Sequence, residues 1–312
     1  NTTGNSNTAT GKAALLTNTT GGNNAAFGVA ALAANTTASY NTAMGGGALS
    51  ANTTGAYNVA VGFNALDQNT TASNNVAVGY DALVANTTGS PNIAVGYRSL
   101  YTNTTGGENT AIGYESLYTN NGANNVALGY KALRANTTGS GNTGIGRDAL
   151  LANTTATSNT AVGHNSLTST TGGSNNTAVG NFAAGSNTTG NTNTAIGGDV
   201  LASQTTGSQN TALGYKAMYA HTTGIQCVGI GVSALQANTT ISELTAVGAH
   251  SLQANTTGTQ NVACGAWSLR FNTTGDKNTA AGYQALAQNS TADENTAFGY
   301  NAAQANTTGN NN

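Results

Sequence analysis

The triplet Asn-Thr-Thr is the most chemically suggestive feature of this 312-residue chain. An asparagine two residues before a threonine is the acceptor pattern for N-linked sugar. It occurs at Asn18, Asn35, Asn52, Asn69, Asn86, Asn103, Asn136, Asn153, Asn187, Asn238, Asn255, Asn272 and Asn306, with Asn-Ser-Thr as the variant at Asn289. A sugar on each of these amides would coat the molecule. The same residues also suit a turn ladder, in which stacked Asn amides and Thr hydroxyls hydrogen-bond between repeats. Thr170, Gln204 and His221 replace this Asn while keeping hydrogen-bonding capacity, which fits the ladder. Both readings stand on the sequence.

Other chemistry finds little footing. Asp293 and Glu294 are adjacent, which suits a solvated turn better than a glycosidase pair. His164, His221 and His250 fall at unrelated places several repeats apart, so no triad or metal cluster is expected. Cys227 and Cys264 fall two repeats apart, about 10 Å along a stack of strands, too far for a disulfide. No Asp-bearing nonapeptide of the calcium-binding type is present. Trp267 stands alone at a position expected to face solvent. The expectation is therefore no enzyme, no catalytic residue, no metal and no cofactor.

These residues sit in one repeating unit. Its starts fall at residue 7 and every 17 residues thereafter, with a single 16-residue repeat at 109–124, so that residues 1–312 read as one continuous array. The consensus is N-T/V-A-V/I-G-Y-x-A-L-x-A-N-T-T-G-x-x, numbered 1 to 17. Position 5 is Gly in every repeat, and the Ala and Leu of positions 3 and 9 vary little. The missing residue of 109–124 lies in the turn, where "TNNGAN" replaces the usual "NTTG" and both apolar tracts survive. Gly, Asn and Thr fall inside every window long enough for an amphipathic helix. The stretch "NVAVGY" reads as a short strand, "ALVA" as a second strand or a brief helical turn, and "NTTG" as a turn. Seventeen residues cannot bury a Leu alone, so successive coils must stack. The fold class is all-β: a parallel β-solenoid, or β-roll, of about eighteen coils, predicted to form a rod on the order of 85 Å long.

Strand alternation puts positions 2 and 4 on one face and positions 3 and 5 on the other. If Val or Ile at 4 and Leu at 9 fill the interior, Ala at 3 and Gly at 5 line a face that admits nothing large. Such a face implies close approach by another backbone, or a Gly held at positive φ. Position 7, expected in solvent, carries Asp81, Arg98, Glu115, Lys131 and Asp148 in succession, an alternation that in-register stacking would turn into a charge ladder. Tyr80, Tyr97, Tyr114 and Tyr130 at position 6 predict an aromatic stack.

The motifs "NTAIGYESL", "NVALGYKAL" and "NTAVGHNSL" resemble the head repeats of trimeric autotransporter adhesins. The fuller "NTAIGYxALxxNTTGxx" unit is similar to repeat tracts of bacterial surface fibres and phage tail fibres. The resemblance covers practically the whole chain, although the adhesin head repeat is shorter than 17 residues. It implies three identical chains side by side, a homotrimer or filament at the cell surface, and a shaft or adhesive role. Composition is compatible. Charged residues are only 6%, with a net charge of −2, so nucleic acid and anionic membranes are not expected partners. No apolar run is long enough for a membrane-spanning helix. The opening "NTTGNSN" is the tail of a repeat without a signal peptide, which reads as a mature segment of something longer. The expected function is a structural and adhesive segment of an extracellular fibre, possible partners being identical chains and host or surface glycans. The alternatives are a tail-fibre or tail-spike shaft that binds host glycans, and an ice-binding solenoid built on its Thr rows.

Overall fold

A computed structural model describes residues 1–312. It contains eighteen short strands, all paired in parallel, and no helix. The chain divides into two compact units, Asn1–Thr157 and Ser158–Asn312. The first carries β1 (Thr8–Thr10) to β9 (Thr143–Ile145) and the second β10 (Thr160–Val162) to β18 (Thr296–Phe298). Within each unit the chain is a parallel β-solenoid with one strand per coil. Partners are one repeat apart: Val76 faces Ile93, Ala77 faces Ala94 and Val78 faces Val95. Across the short repeat the offset falls to 16 residues, Thr110 facing Val126, and the register of the apolar positions is kept.

The strand is only positions 2 to 4, because the glycine at 5 ends it. Gly96 has φ +132°, a region closed to residues with a Cβ, and an added Cβ would sit 2.5 Å from the carbonyl oxygen of Gly113 in the next coil. Positive φ and close backbone approach therefore both apply at this column. The approaching backbone belongs to the next coil of the same chain. The glycine column is explained without a second molecule.

Inside and outside are reversed from the sequence expectation. The Ala of position 3 is buried in every coil after the first, as at Ala60, Ala77 and Ala94, whereas Val or Ile at 4 points outward with position 2. The interior is narrow. Leu at 9 fills it and leaves room opposite for one methyl group. At Gly144, which stands in the alanine column, an added Cβ would lie 3.3 Å from Leu133 Cγ. One coil pair shows the same constraint by substitution. Met218 replaces Leu at position 9, and the next coil answers with Gly229 in place of Ala, where a Cβ would meet Met218 Cγ at 2.8 Å.

The "ALVA" tract forms neither strand nor helix. It is a run of turns in which positions 7 and 9 occupy the left-handed region, Asp81 at φ 52° and Leu83 at φ 53° for example. That conformation costs a non-glycine residue about 1–2 kcal/mol. Inter-coil hydrogen bonding and burial offset it: the Leu83 amide donates to the Ser99 carbonyl at 2.9 Å, and the Leu83 side chain is fully buried.

Candidate functional site

Two asparagine columns line the core. At position 1, the Asn24 side-chain oxygen accepts the backbone amide of Asn41 in the next coil (3.0 Å), while Asn24 Nδ2 donates to the Ala38 carbonyl (2.9 Å). At position 12, Asn35 Nδ2 donates to Asn18 Oδ1 (2.7 Å) and to that same Ala38 carbonyl (3.0 Å). The two columns thus clamp the turn carbonyl of position 15 from both sides. The position-12 chain of amides runs unbroken from Asn18 through Asn35, Asn52, Asn69, Asn86, Asn103 and Asn120 to Asn136 and Asn153. Asn120 belongs to the short repeat, so the deletion leaves this ladder intact. Its neighbour Asn121 accepts from the Thr104 amide (2.8 Å) and hydroxyl (2.9 Å), in place of the Thr carbonyl used elsewhere.

In the second unit the column runs from Asn255 through Asn272 and Asn289 to Asn306. Asn187 and Asn238 still hold their own turn carbonyls, Gly190 and Ile241. The sequon asparagines are thus buried, Asn306 excepted, and most of them spend both amide hydrogens inside the coil. Their nitrogens offer no room for a glycosidic bond in the folded state.

His221 keeps both of the column's contacts, whereas Thr170 Oγ1 and Gln204 Oε1 at the same position find no partner. The His221 Nε2 donates to the Gly224 carbonyl (2.9 Å), which leaves Nδ1 to accept from Asn238 Nδ2 (3.0 Å). Burial lowers the His221 pKa from its ordinary 6.5, partly countered by the Gly224 carbonyl. Cys227 stands in the position-1 column, where its amide reaches Asn210 Oδ1 and its thiol donates to the Ile241 carbonyl at 3.3 Å. Burial raises that thiol's pKa, so it stays protonated.

Position 7 differs from the expected solvent-facing ladder, since Asp81 and Glu115 are buried and Arg98, Lys131 and Asp148 are half-buried. One rung is made as expected: Arg98 Nε to Asp81 Oδ2, 3.4 Å. Glu115 pairs instead with Arg134 at position 10 (2.7 Å), and Asp148 with its neighbour Arg147 (3.1 Å). Lys131 lies 5.0 Å over the Tyr130 ring. Left-handed backbone at position 7 turns these side chains back against the coil, where long cations meet aromatic faces. The aromatic stack does form: Tyr80, Tyr97, Tyr114 and Tyr130 are near-parallel with centroids 5.1–5.4 Å apart, and Phe63 extends it. A second pair, Tyr101–Tyr118, lies at 5.0 Å, and the Arg98 guanidinium sits 5.1 Å from both Tyr97 and Tyr101. The sequence reading missed the part played by position 10, although its Tyr and Arg residues were visible.

The outward sheet face exposes apolar side chains in each unit. Ile93, Ile112, Val126 and Leu128 are 37–44% exposed in the first, and Ile196 and Val262 about 40% exposed in the second. Positions 2 and 4 carry no charged residue in any repeat, although the chain has eight basic and ten acidic residues. The histidines remain apart: His164 contacts Phe182 and His250 packs edge-on against Trp267. Asp293 accepts the Asp276 amide (2.8 Å) and Glu294 pairs with Lys277 (3.2 Å), so the two are turn residues with separate partners. Cys227 and Cys264 are free thiols. No group of three or more His, Cys, Asp or Glu is placed to hold a metal ion, and no helix is long and apolar enough to cross a membrane. No family model matches the chain, and no curated protein is significantly similar to it.

Proposed function

We propose that the chain is a non-catalytic structural segment of an extracellular fibre, in which copies associate side by side through the outward sheet face. The observation that carries this reading is the uncharged rank of Val, Ile and Leu at position 4, beside Thr and Val at position 2. A contiguous apolar surface of this kind marks an interaction site. Its lack of charge means that an identical face meets it without repulsion, which suits a symmetric homo-oligomer. The resemblance to adhesin heads and surface fibres supports three chains and a cell-surface location, with surface glycans as further partners. Light scattering on the purified chain tests it: the expected result is a discrete oligomer, and a stable monomer at micromolar concentration overturns it.

Ice binding draws on a separate observation. Thr160, Thr177, Thr194 and Thr211 are consecutive outward residues of paired strands, whereas the position-13 hydroxyls are spent on the next coil's carbonyls, as at Thr36 to Thr53. This reading expects thermal hysteresis, and its absence removes it.

A further inference from the structure

The second unit carries a groove that departs from the repeat. It crosses four coils at positions 10 and 11, with a volume of about 440 Å³. Its floor is Ala220, Ala237 and Ala254, its ends are marked by Tyr219 and Phe271, and its side is Gln236, Gln253 and Arg270. Three coil spacings put the ends roughly 14 Å apart. Phe271 is the one aromatic residue at position 11 in the whole chain, and it stands at one end of the groove.

The side chains form a directed chain of hydrogen bonds. Arg270 Nε donates to Gln253 Oε1 (3.1 Å), and Gln253 Nε2 donates to Gln236 Oε1 (2.9 Å). Both amide oxygens are turned into this chain, and the N–H donors it leaves unused are the Gln236 amide, the second Gln253 hydrogen and the Arg270 terminal nitrogens. The guanidinium is held in place, 4.1 Å over the Trp267 ring and 4.8 Å from that of Phe271. Of the four arginines, Arg98, Arg134 and Arg147 each have a carboxylate partner, and Arg270 has none. A fixed, unpaired guanidinium beside two amides is complementary to a carboxylate.

We propose that this groove binds an acidic oligosaccharide, with a uronate-type carboxylate on Arg270, sugar hydroxyls on Gln236 and Gln253, and the ring faces on the alanine floor and terminal aromatics. A peptide strand is disfavoured because the floor's backbone is already used: the amides of Ala220, Ala237 and Ala254 donate to the Gln236, Gln253 and Arg270 carbonyls, each at 3.0 Å. Nucleic acid would need more than one cation. The proposal does not depend on side-by-side assembly, which is read by a different measurement.

The test is calorimetric titration of the full chain with trigalacturonate, its methyl ester and triglutamate. The expected result is saturable trigalacturonate binding with a Kd of about 1 mM or tighter, weakened about tenfold or more by esterification and by Arg270→Gln. Phe271→Ala restores the residue usual at position 11, so it folds, and it should also weaken binding. Arg134→Gln should leave binding unchanged. Absence of saturable trigalacturonate binding, equal binding of the ester, or full binding by the Arg270→Gln variant overturns the proposal. Equal affinity for triglutamate overturns the sugar assignment.

Discussion

His221 is the residue at which the asparagine column becomes sensitive to pH. Its folded pKa is lowered by burial. In the window between that value and the unfolded 6.5, the unfolded state binds more protons, so stability rises with pH. The contribution is fully present above about pH 6.5 and is lost as pH falls below it. Melting temperatures across this range should fall more steeply on acidification for the native chain than for His221→Asn, and identical slopes would contradict the assignment. The Asn-Thr-Thr sites make a second prediction. Asn52 Nδ2 holds Asn35 Oδ1 (3.2 Å) and the Gly55 carbonyl (2.9 Å), so folded chains from a glycosylating host should carry no sugar there by mass spectrometry. Asn52→Ala strands buried groups and should cost about 1–3 kcal/mol in urea unfolding. The sequence displays the Asn column plainly. It does not show burial, because a sequon and a ladder rung use the same three residues.

At the scale of the coil, the period, the parallel register and the turn were all legible, because a fixed 17-residue repeat of apolar columns has no other economical explanation. Which strand face points inward was not. Period-two alternation separates 2 and 4 from 3 and 5 but does not say which pair is inside, and the bulkier pair was the natural choice. The interior admits only Ala opposite Leu, a limit set by the width of the coil. The Met218–Gly229 pair tests this. Gly229→Ala alone should destabilise the second unit, as overpacking typically costs about 1–3 kcal/mol. Adding Met218→Leu should recover most of the loss, and additive effects in a double-mutant cycle would refute the contact. The left-handed backbone at position 9 was equally hidden, since Leu has no sequence signature for it, whereas position 7 gave a partial one in Gly47, Asn64, Asp81, Asn165 and Asn301.

For the molecule as a whole, the reversal of faces relocates the surface on which association is proposed. The Ala and Gly columns, which first suggested a neighbouring chain, are satisfied by the next coil and by Leu at position 9. The apolar residues left exposed are those at position 4, with position 2 beside them, and it is on them that the proposed association rests. Ile112 and Leu128 stand at adjacent, paired positions on this face. Their side chains make no part of the coil interior, so replacing both by Lys should leave secondary structure and melting temperature close to native. Light scattering and circular dichroism on Ile112→Lys/Leu128→Lys therefore address the central claim directly. The account predicts an oligomer for the native chain and a folded monomer for the double variant, and a double variant that assembles as the native chain does would contradict it.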